Sequence, residues 1–128
     1  MALKHVLKLT DTEAVLKCYL TDPAGGTIDI NLETDLTAPN QILNGETLDV
    51  GIQEIFWGAK KDKQIDITRL ITSANNEVHS HYYLTNSGSY DFVGFVDNVY
   101  SNKDIRITAD GACHVILKLR KTKGWTKL

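Results

Sequence analysis

Val115-Ile116-Leu117-Lys118-Leu119-Arg120 is the stretch that indicates the fold class most directly. Its apolar residues Val115, Leu117 and Leu119 stand at every second position, so they share one face of an extended chain. The same period of two recurs in the stretches 27–32, 64–68 and 104–108. Apolar spacing with a helical period does not persist over any window of about 11 residues. The pattern therefore predicts half-buried antiparallel strands.

Turn-forming residues separate these stretches. Asp22-Pro23-Ala24-Gly25-Gly26 is a strong turn signal, because proline presets φ and glycine permits a positive φ. Asn44-Gly45 is typical of a hairpin turn. Turn signals recur about every 8–12 residues, which is typical of a sandwich or barrel. We predict an all-β fold, an antiparallel two-sheet β-sandwich of the jelly-roll or immunoglobulin-like kind with about nine strands.

Two local features refine this prediction. The apolar face changes along the run 48–57, because Ile52 is followed by Ile55 and Trp57 on the opposite alternation. A β-bulge near Gln53-Glu54, or a strand that crosses between sheets, would explain the change. The longest irregular segment is 33–45, where we expect at most one short helical turn.

Length and charge limit the class of protein. The 128 residues suit one domain, which we place at 1–128. The formal net charge of −2 argues against a strongly basic nucleic-acid binder. No signal peptide is visible at the start, and no apolar run reaches the roughly 18–20 residues of a membrane span. We expect a chain that is made, kept or assembled in a cytoplasm.

The positive charge is concentrated at the end of the chain. Residues 118–128 hold five of the 14 basic residues and no acidic residue, which leaves 9 basic and 16 acidic residues in 1–117. This basic C-terminal tail is either a solvated end or a segment that docks on an acidic partner. Trp125 within it is an anchor, either for the domain itself or for a partner. The candidate partner-binding residues are Trp125, Lys121, Lys123 and Trp57.

No catalytic constellation is recognisable. His79 and His81 lie two apart in a probable strand, a spacing at which two imidazoles can share zinc, but no further ligand is indicated and a surface pair is expected. Cys113 and His114 are adjacent in a strand and point to opposite faces, so they cannot act as nucleophile and base. We predict no catalytic residue, no cofactor, no metal and no enzymatic activity.

The cysteines and aromatic residues leave alternatives open. Cys18 and Cys113 lie in apolar strands and suit buried thiols in a reducing compartment, although a disulfide between neighbouring terminal strands is also compatible with the pattern. A carbohydrate-binding sandwich would expose two or three coplanar aromatic rings. The candidate residues for such an aromatic platform are Trp57, Tyr83 and Trp125.

Both ends of the chain resemble a known group of proteins. The opening Leu7-Lys8-Leu9-Thr10-Asp11-Thr12-Glu13-Ala14-Val15-Leu16-Lys17 looks like the start of small virion structural proteins from tailed cyanophages. The close Val115-Ile116-Leu117-Lys118-Leu119-Arg120-Lys121-Thr122-Lys123-Gly124-Trp125 is similar to their last strand and its basic tail. The middle of the chain shows no such likeness, and no functional residues carry over.

The resemblance implies an all-β head or tail component without enzymatic activity. We expect a structural protein of a tailed-phage virion, most specifically a capsid decoration or cement protein that binds between major capsid subunits. Its expected partners are the major capsid protein or other virion proteins, with no nucleic acid and no membrane. Alternatives are a tail-, baseplate- or fibre-associated β domain and a carbohydrate-binding β-sandwich module.

Strand edges favour self-association. The first and last strands, near 4–10 and 112–121, are expected to pair with each other or with a neighbouring chain. We predict a homo-oligomer, and a trimer is favoured by analogy with decoration proteins at capsid three-fold positions.

Overall fold

The computed structural model describes residues 2–72, 77–93 and 95–128, and their side chains apart from those of 71, 72 and 77–81. These residues form eleven strands and one five-residue helix, α1 (Leu32–Leu36). The strands are β1 (Ala2–Leu9), β2 (Glu13–Leu20), β3 (Gly26–Ile30), β4 (Gln41–Leu43), β5 (Asp49–Ala59), β6 (Gln64–Thr72), β7 (Glu77–Thr85), β8 (Ser87–Asp91), β9 (Ile105–Ala109), β10 (Cys113–Lys123) and β11 (Trp125–Lys127).

The strands pair antiparallel into three sheets. One sheet has the order β1-β2-β10-β5-β8, a second has the order β3-β9-β6-β7, and β11 pairs with β4 in a two-stranded ribbon. The all-β prediction is confirmed. The structure has eleven strands in three sheets, whereas we expected about nine strands in two sheets. The sequence pattern missed β4 and β11 because each has only three residues. It missed β8 because all five residues of that strand are exposed and show no alternation.

A single core joins the two larger sheets. The predicted inward residues Val115, Leu117 and Leu119 are fully buried, because they alternate with outward residues along β10. They belong to one cluster of buried residues that draws on β2, β5 and β10 from one sheet and on β3, β6, β7 and β9 from the other. Burial of these side chains supplies the main driving force for the fold.

The predicted bulge and helical turn are both present. Along β10, Lys118 faces Glu54 while the next residue, Leu119, faces Ile52, so Gln53 is the extra residue of β5. The bulge moves Ile55 into the core after Ile52. Helix α1 begins one residue before the expected segment, and the side chain of Asn31 caps it by accepting hydrogen bonds from the first-turn backbone.

The basic end of the chain is not a projecting tail. β10 continues to Lys123, and Gly124, with a φ of +106°, lets the chain turn so that β11 pairs with β4. The expectation of a tail was wrong because three-residue strands leave no periodic signal. The first and last strands do not pair with each other, since β2 separates β1 from β10, and the alternative of pairing with a neighbouring chain stays a prediction.

Both cysteines are free thiols. Cys18 faces Val115 across the β2–β10 pair, and Cys113 faces Leu20. Burial raises the pKa of the Cys18 thiol to about 12, which keeps it protonated and unreactive. The buried-thiol alternative thus describes Cys18, while Cys113 is only half-buried. Within the described chain, no helix is long and apolar enough to span a membrane.

Candidate functional site

The predicted partner-binding residues do not form one site. Trp57 faces Val115 near the start of β10, whereas Trp125 follows Lys123 at the end of that strand. Eight residues of extended strand separate these two positions, which is about 26 Å. Lys121 and Lys123 lie with Trp125, so only three of the four candidates are near one another.

Lys121 is buried and is unavailable to a partner, which makes that part of the prediction wrong. Its side chain is 3% exposed, and Nζ donates hydrogen bonds to the backbone oxygen of Thr10 at 3.0 Å and to Oε1 of Gln41. Burial lowers the pKa of Lys121 to about 8, and the charge of Asp11 opposes that shift. Lys121 therefore ties β10 to β4 instead of presenting a positive charge to solvent.

Trp125 folds back onto the domain. Its ring lies 4.8 Å from the Lys121 Nζ atom, a cation–π contact. The indole Nε1 donates to Oγ1 of Thr37 at 2.9 Å. Gln41 completes the arrangement, because its Nε2 donates to the backbone oxygen of Asp11 at 3.0 Å. Together these contacts fix the β4–β11 ribbon, whose outward side chains Ile42 and Leu43 are 50% and 39% exposed.

A second buried cation holds the segment 97–104. Arg69 is 2% exposed, and its guanidinium donates to the backbone oxygens of Lys103 at 2.8 Å and Val50 at 2.6 Å. Burial lowers the pKa of Arg69 to about 10, with the nearby charge of Asp97 opposing the shift. The guanidinium thus connects β6 to the start of β5 and to the chain that crosses between the two larger sheets.

We call the segment 97–104 the crossing segment, and its first residue is also held by hydrogen bonds. Asp97 exchanges two 2.9 Å backbone bonds with Ile52 and accepts a hydrogen bond from the hydroxyl of Tyr82. Between these anchors the segment presents Val99 and Tyr100, which are 54% and 42% exposed. Tyr100 has a φ of +51°, a conformation that costs free energy for a bulky residue and that tends to occur at functional sites.

The ribbon and the crossing segment lie at the same end of the domain. Lys123, which leads into the ribbon, lies opposite Asp49 in the β5–β10 strand pair. The backbone N–H of the next residue, Val50, donates to the backbone oxygen of Ser101 at 2.9 Å. We call this region the apolar end and define it by four exposed side chains. They are Ile42, Leu43, Val99 and Tyr100. The sequence does not indicate any of these four side chains, because irregular and three-residue segments carry no periodic signal.

A cleft lies beside the bulge in β5. Phe92 donates a backbone bond to Gln53 at 3.2 Å, and the chain departs from β5 before it rejoins that strand at Asp97. The departure leaves a space of about 320 Å³, which we call the bulge cleft. Its lining residues are Gln53, Glu54, Asp91, Phe92, Phe95, Val96 and Arg120.

Aromatic rings follow the open edge between β7 and β8. Tyr90 contacts Trp57 at 5.2 Å and Phe92 at 6.3 Å between ring centres, and Phe92 contacts Phe95 at 6.1 Å. The Trp57 and Tyr90 planes are inclined by 39°, and the Trp57 Nε1 donates to a backbone oxygen of β7. Trp57 and Trp125 lie at opposite ends of β10, so these two residues do not belong to one planar platform of the kind that a carbohydrate-binding sandwich would expose.

Among the side chains that the structure describes, no three His, Cys, Asp or Glu residues are grouped closely enough to hold a metal ion. The side chains of His79 and His81 lie outside the described residues. The chain matches no protein-family model, no curated protein and no solved structure.

Proposed function

We propose that this chain is a structural protein of a tailed-phage virion, most specifically a capsid decoration or cement protein that binds between major capsid subunits. The resemblance of the two chain ends supports the class of protein. The observation that carries the mode of action is the apolar end, where two buried cations hold exposed apolar side chains in place. The proposed architecture is a sandwich of the two larger sheets with the ribbon closing one end.

The anchoring of the apolar end explains why it suits protein binding. A loop or ribbon that is already fixed loses little conformational entropy when it binds, so more of the contact free energy appears as affinity. Aromatic and aliphatic side chains that enter pockets on a partner are the usual anchors of such interfaces. Tyr100 and Ile42 fit that role, and the exposed Lys123 beside them favours an acidic partner surface.

The proposed mechanism is stabilisation by mass action. A protein that binds only the assembled lattice shifts the equilibrium toward that lattice, and many copies multiply the effect. We propose a homo-oligomer, with a trimer favoured, because a three-fold assembly lets every copy make the same contacts at a capsid three-fold position. An interface of standard size buries about 800 Å² on each partner.

The test is attachment to particles that lack the protein. Purified chain is mixed with such particles, co-sedimentation gives occupancy, and electron microscopy gives location. The double variant Ile42→Ser with Tyr100→Ser is expected to lose most of its attachment, because both anchors are removed. Tyr83→Ser is the matched control, since Tyr83 is 65% exposed but lies on β7, away from the apolar end.

Three outcomes would contradict parts of this proposal. Absence of the protein from purified virions by mass spectrometry would reject the virion role. Density on the tail instead of the head would replace decoration by the tail-, baseplate- or fibre-associated alternative. Full attachment of the double variant would reject the apolar end as the docking surface.

A further inference from the structure

We propose that the bulge cleft is a binding site for a neutral hexose unit of a glycan. This activity is separate from capsid attachment. Glu54, Asp91 and Arg120 lie on the strand face opposite to the core residues Ile55 and Leu119, so the cleft opens on the outer face of the five-stranded sheet.

The cleft has unused hydrogen-bonding capacity. The side-chain oxygen of Gln53 is buried and has no hydrogen-bond partner among the described residues. The side chains of Asp91 and Arg120 also form no hydrogen bond or ion pair with the part of the chain that the structure describes. The Gln53 oxygen has no accessible surface, so only the exposed Asp91 and Arg120 side chains can meet a ligand in the cleft as it stands. The cleft thus offers a carboxylate and a guanidinium for hydrogen bonding.

The charges around the cleft favour a neutral ligand. Glu54 and Asp91 face each other across the β5–β8 pair and would repel an anionic ligand. Arg120 would repel a cationic ligand, as would Lys118, whose Nζ lies 3.8 Å from a Glu54 carboxylate oxygen. Glu13 faces Arg120 across the β2–β10 pair and pairs with Lys8 at 3.2 Å, so the nearby charges are three negative and three positive. A neutral ligand whose groups both donate and accept hydrogen bonds meets all of these side chains without a charge penalty, and sugar hydroxyls have this property.

Two phenyl rings form an aromatic wall of the cleft. Phe92 and Phe95 border the cleft with ring centres 6.1 Å apart, and Phe95 is 70% exposed. A phenyl ring covers the apolar C–H face of a pyranose while polar groups bind its edge. The cleft volume of about 320 Å³ is within the range of roughly 300–1,000 Å³ for small-ligand sites. Size, polarity and apolar surface therefore all fit one sugar ring.

The experiment is a titration of the full chain followed by two-dimensional amide NMR. The probes are glucose, galactose and mannose as neutral hexoses, with glucuronate and glucosamine as charged analogues. At least one neutral hexose should produce saturable shifts at the Gln53 side-chain amide and at the Phe92 and Phe95 backbone amides. We expect a dissociation constant of about 1–10 mM, since a single sugar unit makes few contacts.

Variants separate this site from weak surface binding. Phe95→Ala should weaken binding at least about fivefold, because it removes the stacking wall. Arg120→Gln should weaken the binding of the neutral hexose and strengthen the binding of glucosamine, because the substitution removes a donor and a positive charge. Tyr83→Ala is the matched control for loss of an exposed aromatic ring and should bind as the unaltered chain does.

Several results would overturn the proposal. No saturable shift with any of the three neutral hexoses would do so, as would tighter binding of glucuronate or glucosamine than of every neutral probe. An unchanged affinity in Phe95→Ala, or an equal loss in Tyr83→Ala, would place the binding outside the bulge cleft. Particle attachment is measured separately, so failure here leaves the proposed virion function unaffected.

Discussion

The Lys121 Nζ atom lies 4.8 Å from the centre of the Trp125 ring, and this contact joins the last long strand to the β4–β11 ribbon. The same ammonium donates to the backbone of Thr10 and to the side chain of Gln41. Its hydrogen-bond partners are oxygens of uncharged groups, so the hydrogen bonds, the cation–π contact and the nearby charge of Asp11 together stabilise the ammonium. The ribbon in turn carries half of the apolar end.

Replacing this ammonium should destabilise the domain. We expect Lys121→Met to lower the free energy of unfolding by about 1–3 kcal/mol, because the buried oxygen of Gln41 and the part-buried oxygen of Thr10 lose this donor. The exposed Lys123 provides the control, because Lys123→Met should change the free energy of unfolding by less than about 0.5 kcal/mol. Urea unfolding followed by tryptophan fluorescence measures both. Equal effects of the two substitutions would show that Lys121 has no special structural role.

The stability of the domain should also depend on the protonation of Lys121. Burial lowers the pKa of Lys121 to about 8 from its ordinary value of 10.5. Between these values the unfolded chain binds more protons than the folded chain, so the contribution of Lys121 to stability rises as the pH increases. The difference in unfolding free energy between the unaltered chain and Lys121→Met should therefore grow between about pH 8 and pH 10. A constant or shrinking difference over that interval would contradict burial of a charged ammonium.

Arg69 should be the more critical of the two buried cations. Arg69→Met leaves the backbone oxygens of Val50 and Lys103 without this donor, and each loss costs about 1–3 kcal/mol. Hydrogen exchange should speed up most at the amide of Val50, which bonds to Ser101 in the crossing segment.

Arg106→Met is the matched control for Arg69. Its guanidinium pairs with Asp29 at 2.7 Å on a half-exposed surface, where an ion pair contributes about 0–1 kcal/mol. If Arg106→Met destabilised the protein as much as Arg69→Met, the hydrogen bonds of the buried guanidinium would not be responsible for the effect.

The turn at Gly124 should not tolerate a side chain. A Cβ atom there would lie 2.3 Å from Cδ2 of Leu48 and 2.9 Å from its Cα, in addition to the cost of a φ of +106°. Gly45 has a φ of +86° but would place its Cβ in open space. Gly45→Ala should therefore cost about 1 kcal/mol, while Gly124→Ala should cost distinctly more and disturb the ribbon. Thermal unfolding ranks the two, and equal costs would mean that the Leu48 contact relaxes easily.

The sequence contained a signal for two residues of the candidate site. Val115, Leu117 and Leu119 are inward, and the next residue in that alternation is Lys121. In β6, Ile65 and Ile67 are likewise followed by Arg69. Both buried cations continue an alternating apolar series, so the signal was present. Their charge concealed it, because a charged residue is rarely buried unless it is paired or hydrogen-bonded.

The sequence by itself determined the all-β class and the inward face of the long strands, because both depend on the period of an extended chain, and it indicated an irregularity near Gln53-Glu54 and a helical turn within 33–45. The structure decided that the irregularity is a bulge at Gln53 and that the helix begins after Asn31. Only the tertiary structure decided where the short strands pair and which cations are buried. Lys121 reaches Gln41 across 80 positions, and Arg69 reaches Lys103 across 34. Hydrogen bonds over such separations depend on how the sheets pack, and local alternation carries no information about them.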